Sequence, residues 1–486
     1  MQFNSLIFIT IFLPLSLAVW YFLLHKKQYS FAKVALFGFS LWFYAFFNLS
    51  YLAILLVSIT LNYGISYLLN QTERWRRGIY YAGLIFNLGM LGYFKYADFF
   101  IENVNSIFRS DFPLTRILLP LGISFFTFRQ IAYLTDRYKK EAEHYLLLDF
   151  ACFISFFPQL VAGPIVYHSE LVPQFLSITG FRFQAATFER GFHRFILGLG
   201  KKVLIADFLS KAVNHGFSIP TIYYLDSPSA FLIMILFAFE LYIDFSAYSD
   251  MAIGVANMFG FTLPENFDSP YKSLSVGEFW RRWHITLSRF FRKYVYIPLG
   301  GNRRGKTIKY RNLLIVFVLS GLWHGADWTF VIWGALQGVA VIWEDIKPFR
   351  VKIKPLAWCQ AFLFTVMSFT FFRSEDLNMA QIIFRQAFRF EVTGFIHELA
   401  GTIRVPENYV LIRYFEIAKP EMVPVVLMFS FLLIIVITVM VINGKQAALI
   451  VTKTSYPKRF IWVLAFIFVW SFISLSQVSE FMYFNF

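Results

Sequence analysis

The chain has 486 residues, of which 58% are hydrophobic and only 15% charged, and its mean hydropathy is +0.58. A soluble domain carries roughly a quarter of its residues as charges, so this composition excludes a soluble globular protein and reads as a polytopic membrane protein whose 21% aromatic residues suit lipid-facing surfaces and interfacial belts. The formal net charge of +15 would suggest nucleic acid in a soluble chain, but here the basic residues fall in short loops between apolar runs, which the positive-inside bias explains without a nucleic-acid partner. Anionic head groups add to that bias, and an anionic cytoplasmic substrate is a further role open to some of these cations.

The first apolar run, Leu6 to Leu24, has an uncharged start and is followed by His25-Lys26-Lys27. A secretory signal carries its positive charge before the apolar region, so the order predicts a retained helix with its N-terminus outside and its far end cytoplasmic. Phe31 to Phe46 then runs outward, Leu49 to Leu69 returns to the basic loop TERWRRG, and Ile79 to Phe94 leaves again to the mixed-charge loop ENVNSIFRSDFP. Ile117 to Leu134 comes back to the basic loop DRYKKEAEH. The stretch from Tyr145 to Leu263 resists division into spans. Farther on, Leu356 to Phe372 leads outward to a loop at about 373–420, Met422 to Ile442 returns to Lys453, Lys458 and Arg459, and Phe460 to Leu475 leaves once more. Both termini are then extracytoplasmic, which requires an even number of crossings. Ten to twelve are expected, each of about 20 apolar residues.

Two stretches depart from this alternation. Over residues 280–294, WRRWHITLSRFFRKY, helical spacing puts Trp280, Trp283, Leu287, Phe290, Phe291 and Tyr294 in one stripe and Arg281, Arg282, Arg289, Arg292 and Lys293 opposite. That pattern predicts one amphipathic helix along the cytoplasmic interface, with His284 at the edge of the apolar stripe. The second stretch, Asn312 to Trp343, contains one formal charge, Asp327, and one imidazole, His324. Basic segments flank it on both sides, Asn302 to Arg311 and Lys347 to Lys354. Its thirty-two residues are too many for one span and too few for two. The arithmetic predicts a re-entrant hairpin, or two short helices, over 312–343 with the turn at Gly321 to Gly325, whose two glycines are suited to bending the chain. Irregular backbone at membrane depth survives where it is buried in protein or lines a cavity, and His324 would face such a cavity.

Cys152 and Cys359 form neither a disulfide framework nor a CxxC pattern. The eight histidines include no HExxH or Cys/His cluster, so no metal is expected. His144 and Asp149 make an H-x4-D spacing that reads as coincidental, and no GxSxG elbow occurs. His324 is different. Ionisable groups within a bilayer are functional candidates by default, and an imidazole that titrates near neutrality can take a proton from a hydroxyl. A buried structural histidine bonded to turn carbonyls is the competing reading. Asp327 can orient the ring or cap the following helix.

The segments WRRWHITLSRFFRKYVYIPLGG and LSGLWHGADWTFVIWGALQG resemble the signature segments of the membrane-bound O-acyltransferase (MBOAT) family, in its bacterial alginate O-acetylase-like branch. PLGISFFTFRQIAYLTD, SFFPQLVAGPIV, YIDFSAYSDMAIG and the terminal FMYFNF are similar to that branch as well, in the same order. The branch usually has glycine where this chain has Ala247. The resemblance implies an all-α fold around a central tunnel, one membrane domain over 1–486. Its helices would group as 1–134, a signature core at 135–354, and 355–486 with the extracytoplasmic loop at 373–420. It implies a multi-pass protein of the bacterial cytoplasmic (inner) membrane. It implies His324 as the catalytic residue and His284 as the second signature position. Trp323 and Asp327 stand beside His324 as supporting candidates. Arg281, Arg282 and Lys293 are candidates for contacting donor phosphates or head groups.

The reaction implied moves an acyl group, acetyl first, from a cytoplasmic thioester such as acetyl-CoA to hydroxyls of an extracytoplasmic polysaccharide such as alginate. Transfer would be direct or through an extracytoplasmic acetyltransferase partner, with no bound cofactor. D-alanyl or peptidoglycan O-acyl transfer are alternatives in the same fold. A proton-coupled transporter or flippase using His324 and Asp327 is the alternative from another class.

Overall fold

The computed structural model describes residues 1–180, 182–346, 351–403, 409–444, 446–451, 458–477 and 481–482. Lys453, residues 347–350 of the basic segment after Trp343, and residues 483–486 of the terminal FMYFNF lie outside the described residues. Among the described residues the fold is all helix, without strands.

In chain order the helices are α1 (Leu13–His25), α2 (Tyr29–Ala45), α3 (Leu49–Gln71), α4 (Arg76–Leu91), α5 (Ala97–Phe108), α6 (Ile123–Tyr138), α7 (Leu147–Ser155), α8 (Phe157–Leu160) and α9 (His168–Leu176). They continue as α10 (Ala185–Lys201), α11 (Asp207–Gly216), α12 (Ile219–Ile222), α13 (Ser227–Met258), α14 (Val276–Arg282), α15 (Ile285–Phe291), α16 (Lys306–His324) and α17 (Trp328–Ile346). The last group is α18 (Lys354–Arg373), α19 (Leu377–Ala387), α20 (Ile396–Thr402), α21 (Tyr409–Ala418), α22 (Val423–Asn443), α23 (Ala447–Val451) and α24 (Lys458–Ile473). Six helices among the described residues are long and apolar enough to cross a bilayer: Phe8–His25, Leu49–Gln71, Ser227–Met258, Trp328–Ile346, Lys354–Arg373 and Pro420–Asn443.

Most of the apolar runs read from the sequence fall on these helices, and the departures have local causes. The fifth run begins at Ile123 and not at Ile117, because Pro120 and the left-handed Gly122 (φ +72) keep the preceding residues out of the helix. The loop expected after Phe94 instead starts with a π-helical turn at Gly92–Tyr96 and continues as α5 to Phe108. The stretch at 373–420 contains α19, α20 and α21. Cys152 is buried, while Cys359 is partly exposed.

The chain divides into two compact units. The first comprises Met1–Phe195, Ser249–Glu265 and Thr286–Pro298. Its interior contains an amide ladder across three helices. Gln130 Oε1 on α6 accepts from Ser58 Oγ (2.8 Å) and Asn62 Nδ2 (2.9 Å) on α3, and Asn62 and Asn87 of α4 exchange hydrogen bonds at 2.6 and 3.2 Å. Within hydrocarbon such side-chain bonds act as polar glue between helices. A second knot centres on Asp136. Its Oδ2 accepts from His168 Nε2 (3.1 Å), Lys293 Nζ (2.9 Å) and Tyr294 Oη (2.8 Å), while His168 Nδ1 meets Tyr145 Oη at 2.8 Å.

The second unit comprises Ile196–Tyr248, Asn266–Ile285 and Leu299–Phe486. In its core α16 and α17 form a hairpin. The arms are longer than sequence arithmetic gives, because helix extends into the basic flank to Lys306 on one side and past Trp343 to Ile346 on the other. Nineteen residues per arm correspond to about 28 Å of helix, close to the thickness of a bilayer core. Of the two glycines, Gly321 does not bend the chain as the sequence suggested. Helix continues through Gly321 to His324, and the turn is Gly325-Ala326-Asp327. Gly321 and Gly334 instead allow two backbones to touch. A Cβ on Gly321 would lie 2.2 Å from the Phe330 carbonyl oxygen, and one on Gly334 would lie 2.4 Å from that of Phe317. Small residues at helix crossings are the membrane solution to close packing. Gly334→Val should therefore force the arms apart and lower stability by about 1–3 kcal/mol, read as a lower melting temperature of the detergent-purified protein. A Gly334→Val variant that melts like the wild type would show that the crossing has slack.

Candidate active site

The interfacial stripe read over 280–294 is real in its burial but not in its continuity. Trp280, Trp283, Leu287, Phe290 and Phe291 are all buried, while Tyr294 at the end of the stripe is half-buried. The helix, however, breaks after Arg282. Trp283 is extended, and His284 takes a left-handed backbone at φ 43, an uncommon region that histidine tolerates better than most residues. The freed backbone groups find partners in the segment 266–268. Ile285 N–H donates to the Asn266 carbonyl (2.9 Å), and Asp268 N–H donates to the Arg282 carbonyl (2.8 Å). This pairing satisfies the backbone groups that a break within an apolar interior would otherwise leave bare. Its consequence is that His284, read at the edge of the apolar stripe, is fully buried in the second unit.

Asn266 also fixes the ring. The Nδ1 of His284 lies 3.1 Å from Asn266 Oδ1. An amide oxygen only accepts, so Nδ1 donates to it and the neutral ring then has its lone pair on Nε2. Asn266→Ala removes that constraint. Transfer should fall by up to about tenfold, the equivalent of one net hydrogen bond of about 0.5–1.5 kcal/mol, at unchanged protein abundance; an unaltered rate would show that the tautomer of His284 is immaterial.

His324 ends α16 and is also buried. Its ring centroid lies 6.3 Å from that of His284. Aromatic walls surround the pair: Trp323 is 4.9 Å from His324 and 5.9 Å from His284, Trp333 and Phe372 are 5.2 and 5.1 Å from His324, and Phe245 is 4.8 Å from His284. The elements that carry this cage are cross-linked by polar contacts. Trp280 Nε1 donates to Gln337 Oε1 (3.0 Å), whose Nε2 donates to Ser368 Oγ (2.7 Å), joining α14, α17 and α18. The carboxylate of Glu344 accepts from the N–H groups of Val276 (2.6 Å) and Gly277 (2.9 Å), where an anion suits the N-terminal end of α14.

The residues singled out from the sequence thus divide. His324, His284 and Trp323 come together. Asp327 lies in the turn and caps α17, its Oδ1 accepting from Thr329 N–H at 2.8 Å. Arg281 is exposed on α14, and Arg282 is paired with Glu278 at 2.9 Å. Lys293 belongs to the first unit, where it is paired with Asp136. His144 packs against Tyr63 and Tyr67 while Asp149 is paired with Lys33 at 2.5 Å, so the H-x4-D spacing joins no site. Sequence reasoning missed Asn266, Phe245, Trp333 and Phe372. Asn266, Phe245 and Phe372 arrive from other parts of the chain with no spacing that connects them to the histidines, and Trp333, nine residues after His324, reaches it only through the fold of the α16–α17 hairpin. No cluster of three or more histidine, cysteine or acidic side chains fit for a metal occurs among the described residues.

Two buried imidazoles thus share one aromatic cage, and comparison with known proteins gives the chain a family. The model of the membrane-bound O-acyltransferase family matches residues 39–372, more than half of the chain. The chain is 43% identical over 413 residues to the peptidoglycan O-acetyltransferase of Helicobacter pylori, covering 78% of each chain. It is 40% identical over 409 residues to a probable alginate O-acetylase of Azotobacter vinelandii, covering 80% of this chain and 78% of that one. A teichoic acid D-alanyltransferase of Streptococcus thermophilus is 29% identical over 243 residues, 46% of this chain and 56% of that one. The chain is an acyltransferase and belongs to the membrane-bound O-acyltransferase family.

Proposed function

We propose that the protein transfers an acetyl group from a cytoplasmic thioester, acetyl-CoA in the first instance, to hydroxyls of an extracytoplasmic polysaccharide. The observation that carries this reading is the pair of buried imidazoles, His324 and His284, in one aromatic cage. An alcohol is a weak nucleophile until a base takes its proton as it attacks. In the proposed reaction the imidazole of His324 accepts the hydroxyl proton while the oxygen adds to the thioester carbonyl. Collapse of the tetrahedral species breaks the carbon–sulfur bond, and the departing thiolate receives the proton from the imidazolium. His284 serves as the second imidazole of the site, held in one tautomer by Asn266. Trp323, Trp333 and Phe372 exclude water that would otherwise compete as a nucleophile. Arg281 and Arg282 on α14 are candidates for contacting donor phosphates or lipid head groups.

The acetyl group and the glycan class are supported by the names of the relatives at 43% and 40% identity. Those names put peptidoglycan beside alginate as acceptor. Transfer to the glycan, directly or through an extracytoplasmic acetyltransferase partner, is part of the same proposal, as is residence in the bacterial cytoplasmic membrane. The test is purified protein in proteoliposomes given acetyl-labelled coenzyme A, with alginate or peptidoglycan fragments as acceptors. The expected result is thioester consumption that depends on His324, with label on one acceptor or, lacking a partner, on the enzyme. Thioester consumption equal to that of empty vesicles would overturn the reading.

A further inference from the structure

The first unit contains a cavity that shares no residue with the histidine site. Its volume is about 590 Å³, within the range of small-molecule sites. Leu17, Ala18, Tyr21 and Leu24 line it from α1, and Phe183, just before α10, and Phe188, near its start, close it. The α1 residues recur at helical spacing and so form one face. Tyr21 brings no free hydroxyl to this wall, because its Oη donates to the Met258 carbonyl. Its ring meets that of Phe183 edge-on at 5.2 Å, and Phe183 lies 5.8 Å from Phe188. The wall is therefore hydrocarbon and aromatic throughout.

The rim is different. His25, the last residue of α1, completes the lining, and the exposed Lys26 and Lys27 follow it directly. Arg182, also exposed, precedes Phe183. Reading along α1, the apolar face thus gives way to a cluster of cations at one end. In the orientation set by the basic loops that end faces the cytoplasm, where membranes present anionic head groups.

We propose that this cavity is a site for an anionic phospholipid of the cytoplasmic leaflet, with an acyl chain along the α1 face and its phosphate met by Lys26, Lys27 and Arg182. Charge complementarity selects this occupant. A neutral lipid fills the hydrocarbon part but gains little from three cations, and a soluble phosphate gains the cations but leaves the apolar wall empty.

The experiment is native mass spectrometry of the full chain, purified in a neutral detergent and offered phosphatidylglycerol and phosphatidylcholine with the same acyl chains. Phosphatidylglycerol should be retained about fivefold or more over phosphatidylcholine, since each basic residue near an anionic surface contributes roughly a fivefold preference. The triple variant Lys26→Gln, Lys27→Gln, Arg182→Gln should lose that preference while still holding phosphatidylcholine. Ala18→Trp, which fills the cavity, should lower retention of both lipids. Phe183→Ala, which opens the wall, provides the same readout if the tryptophan variant does not fold. Equal retention of the two lipids by the wild type, or a preference that survives loss of all three cations, overturns the proposal. Displacement of phosphatidylglycerol by millimolar glycerol phosphate would mark a soluble-anion site and overturn it as well.

Discussion

Replacing His324 by alanine is expected to lower acyl transfer by about 10²–10⁴-fold, the usual contribution of a positioned general base. The residue has the chemistry for that role and a setting that makes it costly to replace. It is buried at the end of α16, between the rings of Trp323, Trp333 and Phe372. Alanine also leaves a void in that cage, so His324→Gln belongs beside it. Glutamine preserves most of the volume and cannot accept the proton, and should be as inactive as alanine. The measurement is acetyl on extracted polysaccharide, or thioester consumption in proteoliposomes, at matched membrane abundance. Near-wild-type acetylation by either variant would remove His324 from the mechanism and leave it a structural residue.

The second large effect is on stability. Lys202 is buried in the second unit with its Nζ 2.9 Å from Asp207 Oδ1 and 2.9 Å from Asp244 Oδ1. Asp244 Oδ2 accepts in turn from the backbone N–H of Met482 at 2.9 Å, which fastens the chain near its C-terminus to α13. Lys202→Met removes the cation between them and leaves two carboxylates facing each other in a dry interior. Deleting one partner of a buried pair costs about 3–5 kcal/mol, so the variant should melt at a clearly lower temperature in detergent and accumulate poorly in the membrane. Adding Asp244→Asn removes one of the two stranded charges and should restore part of the loss. A single variant as stable as the wild type would show that these carboxylates are neutral in the folded protein and that the lysine is dispensable.

The WHG segment could be picked out from the sequence because an imidazole in thirty-two residues of hydrocarbon is conspicuous. The flanking cations then required the chain to enter and return, and the structure has that hairpin. The position of the turn was misread by a few residues. Glycine permits bending and close approach alike, and sequence cannot say which use a given glycine serves; Gly321 and Gly334 are used for approach. Residues 280–294 show the converse. Periodicity identified the buried side correctly but not the break at His284, because the break is stabilised by residues 266–268, and period alone contains no information about a distant stretch of partner backbone.

The composition, the charge-flanked apolar runs and the signature segments by themselves determined that this is a polytopic membrane protein, that it is all helix, and that His324 and His284 merit attention. Those properties follow from hydrocarbon seeking lipid and from backbone satisfying itself within each helix, which are local in sequence. Only the tertiary structure decided that the two histidines share one cage, that Asn266 sets the tautomer of His284, that Asp327 caps α17, and that Lys293 is committed to Asp136. Each of those contacts joins residues brought together by packing, and hydrogen bonds and ring contacts a few ångströms long are fixed by where helices cross, which no periodicity encodes.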